Sequence, residues 1–345
     1  MKVIVAGPFS DRGGGATAGD LFAAELVCDW LDEAGYSYDI AVTPPLQGGK
    51  HLRTCDPREY SHAFAVCGPF SRRLGGDAFF SRFASCRTVG INLSMVDPIE
   101  QWNPFDILIE RDSSVRARPD VVFLSRRALV PVVGVCLVES YGTAFEKLAY
   151  SAIQRLVDSR EIAVVEIDTR LDKKNKMFRT PSEVESALAR MDVVITTRLH
   201  GMVLALKNGV PAISIDPDPS LLKVKRQAET VGWPVVFVAN AISDQQLQEA
   251  FDHCLTDEAK VEARECSERA FQMAKEIRQE FMKEMAHPNF PFPPKQPLLA
   301  KTRRISSGIK RVLAWDGTDF EKGGASVFLN RVKAYFGSIW AERHG

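Results

Sequence analysis

Arg198, His200 and Gly201 form a short polar segment at the end of an apolar run, Val193-Val194-Ile195-Thr196. Residues 202–207 then read as a helix, and Gly209-Val210-Pro211 as a turn into a second buried strand at 212–215. In open α/β sheets, ligands sit beyond the carboxyl ends of the strands. The spacing therefore puts Arg198 and His200 where such a fold places its chemistry. Arg198 is a permanent cation whose planar fork suits a carboxylate or a phosphate. His200 can give or take a proton near neutral pH. The bland alternative is a pair that caps backbone groups or packs as core.

Other candidates also follow strand-like runs. Lys223, Lys225 and Arg226 cluster at the start of a helical segment and could meet an anion; a helix face also needs solvated charge. Residues 13–20, Gly-Gly-Gly-Ala-Thr-Ala-Gly-Asp, lack the Gly-Lys-Ser/Thr of a Walker loop. They read either as a phosphate-cradling loop that opens a helix, with Arg12, Gly14 and Asp20 in or beside it, or as a plain connection with Asp20 in the first helical turn. In Glu139-Ser140-Tyr141-Gly142, Tyr141 could stack on a sugar, and Ser140 could bond phosphate or cap a helix. Asp216 and Asp218 could meet hydroxyls, or make the Asp-Pro turns that Pro217 and Pro219 favour. Cys67-Gly68-Pro69 reads as a turn, and Arg72-Arg73 as a weak mark of an anionic ligand.

The elements that must position these residues alternate. Strands are predicted at 2–6, 37–42, 62–67, 88–93, 106–109, 121–124, 132–137, 162–167, 193–196, 212–215 and 235–238. Helices are predicted at 18–34, 143–159, 181–190, 202–207, 221–231 and 244–255. Most strands are near-continuous apolar runs, which favours parallel strands covered on both faces. The class is α/β with two Rossmann-like domains, 1–128 and 129–256, which the resemblance described below implies are the acceptor and donor sides of an active cleft between them. Residues 257–287 lack Gly, and 257–285 carry apolar residues at helical spacing. They predict one long helix that braces the first domain. Residues 288–345 open with a stiff Pro-rich linker and continue as a basic, amphipathic helical tail.

Composition is that of an ordinary globular protein, 45% hydrophobic and 26% charged. Lys plus Arg equals Asp plus Glu at 44 each, so global charge offers no case for nucleic acid. No apolar run approaches the roughly 20 residues of a membrane span, and the N-terminal apolar run is too short for a signal peptide. The seven cysteines are scattered without zinc-ligand spacing. The expectations are reduced cytoplasmic thiols and no metal.

Residues 196–215, Thr-Thr-Arg-Leu-His-Gly-Met-Val-Leu-Ala-Leu-Lys-Asn-Gly-Val-Pro-Ala-Ile-Ser-Ile, resemble the signature of polysaccharide pyruvyl transferases. Leu222-Lys223-Val224, leading into Val231-Gly232, resembles that family's Lys-Val segment, and residues 13–20 resemble its N-terminal loop. The resemblance implies a GT-B-like fold and transfer of the pyruvyl unit of phosphoenolpyruvate to a sugar diol as a cyclic ketal, in cell-surface or exopolysaccharide synthesis. It implies phosphoenolpyruvate as co-substrate and no cofactor. Carried over by residue, Arg198 holds the donor anion, His200 does acid/base work, and Lys223, or Lys225 two positions on, meets the phosphate. The family often has Arg after the first strand of the second domain. This chain has Glu139-Ser140-Tyr141-Gly142 there, leaving Ser140 and Arg170 as the further donor contacts. Arg12, Gly14, Asp20 and Tyr141 are the acceptor candidates. The acceptor is a saccharide, lipid-linked if the basic tail lies on the inner face of a membrane; an oligomer is compatible with the pattern. Two alternatives remain open: a GT-B glycosyltransferase using a nucleotide sugar, and a non-catalytic member that binds glycans or partners.

Overall fold

The computed structural model describes residues 1–10, 15–74, 76–138, 143–172 and 177–286. The chain divides into two compact units, one ending at Ala128 and the other starting at Leu129. Each is an α/β body around a five-stranded parallel sheet.

In the first unit the elements run β1 (Lys2–Ala6), α1 (Ala18–Glu33), β2 (Ser37–Ile40), β3 (His62–Val66), β4 (Pro69–Phe70), α2 (Gly76–Arg82), β5 (Arg87–Ile91), β6 (Ser94–Met95) and β7 (Ile107–Ile109). The sheet order is β2-β1-β3-β5-β7, with β4 and β6 as a separate parallel pair. Alternation along β1 serves two cores. Val3 and Val5 pack with α1 through Ala23, Ala24, Val27 and Leu31. Ile4 and Ala6 face the other way, toward Tyr60 and Phe83. The apolar run 121–124, predicted as a strand, is a 3-10 turn. Asp120 accepts the Val122 N–H and the Asn92 amide, and this capping closes the turn before a strand can extend.

The second unit runs β8 (Val132–Cys136), α3 (Ala144–Asp158), β9 (Ala163–Glu166), α4 (Pro181–Leu188), β10 (Val193–Thr196), α5 (Leu199–Lys207), β11 (Ala212–Asp216), α6 (Lys223–Val231), β12 (Val236–Val238), α7 (Asp244–Cys254) and α8 (Asp257–Ala286). The sheet order is β12-β11-β10-β8-β9. Every residue of β10 and β11 is buried, as their unbroken apolar runs require of strands covered on both faces. In chain order both large sheets read 2-1-3-4-5. In that order the strand direction of travel reverses between the first and third strands, and ligands bind at that reversal. In the second unit this is the seam between β8 and β10, where Cys136 pairs with Thr196.

Two helix starts differ from the sequence reading. Helix α5 starts at Leu199 rather than at residue 202, so His200 lies in its first turn. Helix α6 starts at Lys223 rather than 221, after Leu222 in a left-handed conformation. The long helix α8 packs on α5, α6 and α7 of its own unit, through Ala259, Ala263 and Cys266. The predicted tail, 288–345, lies outside the described residues. No described helix is long and apolar enough to cross a membrane.

Candidate active site

Two threonines fasten the tip of β10 to the tip of β8. The fully buried Thr196 donates its hydroxyl to the Cys136 carbonyl at 2.7 Å and accepts the Arg198 N–H at 2.9 Å. Thr197 donates its N–H to the same carbonyl at 3.2 Å, and its hydroxyl accepts the Val138 N–H at 2.8 Å. Gly201 lets α5 begin directly over this joint. A Cβ there would lie 2.3 Å from Thr196 Oγ1 and 3.1 Å from Cys136 Sγ, so no larger residue fits without displacing the hydroxyl that ties the strands.

Arg198 is the N-cap residue of α5 but makes no side-chain capping bond. Its side chain, 14% exposed, turns instead toward β8 and β9. Nε donates to the Leu137 carbonyl at 2.6 Å, and Nη2 lies 3.2 Å from Asp168 Oδ1. The guanidinium is thus oriented by two acceptors. His200 is exposed in the first turn of α5 and makes no side-chain hydrogen bond among the described residues. It stands open to solvent at the positive end of the helix.

Further charges surround Arg198 on the β9 side. The Asp168 carboxylate also accepts the Arg170 N–H at 2.9 Å, so one carboxylate shapes both the turn and the arginine. The Arg170 guanidinium pairs with Asp172. That hydrogen bonding, reinforced by the Arg170 and Arg198 charges, holds the Asp172 carboxyl below its ordinary range against the opposing effect of burial. Tyr150 donates its hydroxyl to the Val138 carbonyl. Burial pushes the Tyr150 phenol up, as does the charge of Glu146, while Arg198 opposes them. Burial likewise raises the Cys136 thiol, against the Thr196 hydrogen bond and the Arg198 charge. A cavity of about 380 Å³, lined by Val135, Leu137, Glu166, Asp168 and Arg198 among others, opens here. A larger and more open hollow of about 640 Å³ lies against α4, by Phe178, Arg179 and Glu183. It carries none of the strand-tip groups.

On the other side, Lys223 is exposed as the first residue of α6, and Lys225 lies 3.8 Å from Glu229. The fully buried Asp216 accepts the N–H groups of Val224 at 2.8 Å and Lys225 at 3.2 Å. A protein carboxylate therefore already fills the amino end of α6. Any anion met by Lys223 is met by its side chain rather than by the helix end.

With this geometry in place, comparison with known proteins identifies the segment that carries it. Residues 109–219 match the polysaccharide pyruvyl transferase family. The match spans β8 to β11 and contains Asp168, Arg170, Arg198, His200, Gly201 and Asp216; Lys223 and Lys225 lie just beyond it. Over 105 residues the chain is 27% identical to the UvrABC system protein C of Chlamydia pneumoniae, a stretch that is 29% of this chain and 17% of that protein. The chain thus spans less than a fifth of that curated relative. Similar solved structures include the calicheamicin glycosyltransferase CalG4, at 11% identity and TM-score 0.31, covering 83% of this chain and 99% of that one. The UDP-GlcNAc 2-epimerase of Methanocaldococcus jannaschii is similar at 10% identity and TM-score 0.27, covering 75% and 94% of the two chains.

The structure brings Arg198, Asp168 and Arg170 together within the segment that matches the family, with His200 in the first turn of α5. It gives several other candidates local duties. Asp20 completes a capping box with Thr17, accepting the Thr17 N–H and hydroxyl at 2.8 Å each, so its carboxylate serves the start of α1. Asp216 caps α6. Asp218 accepts the Ser220 N–H and hydroxyl, and those bonds hold its carboxyl below the ordinary range. The turn reading therefore describes both aspartates. Cys67 and Gly68 both have positive φ, 64° and 84°, as a tight turn requires. The Arg72 guanidinium lies over Trp102, 5.9 Å from its centroid. Arg12, Gly14, Ser140 and Tyr141 lie outside the described residues. Sequence reasoning missed Asp168, Thr197 and Tyr150. Asp168 had one local signal, its place at a strand end two residues before Arg170.

Proposed function

We propose that this protein transfers the pyruvyl unit of phosphoenolpyruvate to a saccharide diol as a cyclic ketal, in the synthesis of a cell-surface polysaccharide. The observation that supports it most is Arg198. It is an oriented and largely desolvated guanidinium at the β8–β10 reversal, within the segment that matches the family. In the proposed reaction Arg198 holds the carboxylate of the donor, and the Lys223 side chain its phosphate, with Lys225 as the substitute. A proton goes to the methylene carbon of phosphoenolpyruvate, and one sugar hydroxyl bonds to the central carbon. Phosphate departs and the second hydroxyl closes the ketal. Of the two hydroxyl protons, one balances the new methyl group and the other leaves with phosphate. His200 is assigned the proton transfers, since an imidazole is poised for both directions near neutral pH.

The basic tail is proposed to hold the protein against an anionic membrane surface, where a lipid-linked acceptor would reside. Removing residues 295–345 abolishes liposome binding on this reading.

The test is calorimetric titration of the wild type and of Arg198→Ala with phosphoenolpyruvate. Saturable binding that is lost in the variant supports the assignment. A wild type that ignores phosphoenolpyruvate but gains thermal stability from nucleotide sugars replaces the donor.

A further inference from the structure

The carboxyl ends of the strands in the second unit are sorted by charge. Beyond β11, at the start of α6, stand Lys223, Lys225 and Arg226, while the nearby Asp216 is occupied in capping. The β9 side is acidic. Glu166 ends β9, and Asp168, two residues beyond it, lines the same cavity. Val135 pairs with Glu166 in the sheet register, and Leu137 lies just past the end of β8. These four, with Arg198, line the cavity of about 380 Å³. That volume falls within the range of small-molecule sites.

The charges inside this cavity do not suit a phosphorylated ligand. On the side of this cavity Arg198 faces Asp168 at 3.2 Å and the Leu137 carbonyl. Glu166 is exposed to the hollow and has no hydrogen bond or ion pair among the described residues. A phosphate placed here would face two carboxylates, one of them uncompensated. Hydroxyl groups would not be repelled. Each could donate to a carboxylate oxygen, while Val135 and Leu137 offer apolar surface to the face of a sugar ring.

We infer that this cavity is a saccharide site that takes a neutral pyranoside, with Glu166 and Asp168 accepting hydrogen bonds from adjacent ring hydroxyls. Its role as the acceptor site rests on the pyruvyl-transfer reading; its affinity for pyranosides does not. On that reading the neutral acceptor occupies the acidic side of Arg198 and the anionic donor the basic side. The two substrates then meet at the strand tips without sharing a pocket.

The experiment uses full-length protein, the methyl α- and β-pyranosides of glucose, galactose and mannose as probes, and saturation-transfer NMR titration. Phosphoenolpyruvate affinity is measured in parallel by calorimetry. The variants are Glu166→Ala and Glu166→Lys, both at an exposed position, with melting temperature as the check on folding. Asp168→Asn serves as a third, because it keeps the acceptor toward Arg198 while removing the charge. The expected result is saturable binding of at least one pyranoside, weakened about tenfold or more by either Glu166 substitution, while phosphoenolpyruvate affinity holds or tightens. The inference is overturned if none of the pyranosides binds, or if binding is indifferent to Glu166. It is also overturned if Glu166→Ala weakens phosphoenolpyruvate as much as sugar, since the cavity would then belong to the donor. Glu166-dependent pyranoside binding by a wild type that ignores phosphoenolpyruvate would uphold the site and remove the donor assignment alone.

Discussion

Arg198 carries the consequences of being nearly dry. A guanidinium that is 14% exposed must be paired, and its fork supplies a bond to Leu137 and another to Asp168. Lysine offers a point charge without that fork. Arg198→Lys should therefore bind phosphoenolpyruvate at least tenfold more weakly in calorimetric titration, despite the unchanged charge. His200 makes a contrasting prediction, since it is exposed and its side chain makes no hydrogen bond among the described residues. His200→Ala should keep both fold and donor affinity and lose turnover in a phosphate-release assay; retained turnover would remove it from the mechanism. Gly201 is needed for space rather than chemistry. The Cβ in Gly201→Ala would press on Thr196 Oγ1. The overpacking should cost about 1–3 kcal/mol, read as a lowered urea midpoint with little change in slope.

At the scale of elements, the amino ends of the helices decide which acids are free for function. Thr17 with Asp20, Thr143 with Glu146 and Ser243 with Gln246 each close a capping box, all at the Ser/Thr-x-x-acid or amide spacing that sequence alone displays. Helix α6 is capped differently. Its N-cap, Leu222, has no side chain to offer, and Asp216 reaches the first turn from the end of β11. Asp216→Ala would strand two N–H groups near a buried site. It should destabilise the second unit by about 1–3 kcal/mol, measurable in urea, whereas Asp216→Asn should recover part of the loss by keeping an acceptor. Helix α8 shows how periodicity finds an element without placing it. Its apolar stripe covers α5 to α7 over the first turns. Further along, Ile277 and Phe281 are 69% and 60% exposed.

At the scale of the molecule, a zero formal charge and seven scattered cysteines leave buried ionisable groups to set the solution behaviour. All seven thiols are free and buried. Burial pushes Cys28 and Cys67 up to about 11 and Cys254 to about 12. The thiolate is the reactive form, so a colourimetric thiol reagent at pH 8 should label the native protein slowly and all seven sites after unfolding. Rapid native labelling of several sites would contradict this packing. Acid sensitivity centres on Asp39 in β2. Burial opposes its ionisation, but hydrogen bonds from Lys2, Lys50 and Tyr60 outweigh burial and hold it at about 2. An unfolded Asp titrates near 3.9. The stabilisation from Asp39 is thus fully present above about pH 4 and disappears as pH falls through about 2. Thermal melts of the wild type and Asp39→Asn should differ most above pH 4 and converge toward pH 2.

What the sequence by itself determined was local. Unbroken apolar runs between polar tips specify buried parallel strands, because a strand covered on both faces has no polar side to show. The roughly 3.6-residue spacing of apolar positions marked most helices, and the Arg-x-His-Gly segment lies in the stretch that matches the polysaccharide pyruvyl transferase family. Tertiary structure decided which strand lies beside which, since strand order is a choice among distant partners that no local spacing encodes. By seating β10 against β8, it gave Arg198 a carbonyl 61 residues away and the Asp168 carboxylate just beyond β9. It also drew Asp216 into a cap, and it opened a cavity whose two carboxylates become visible only when the pleats of β8 and β9 align.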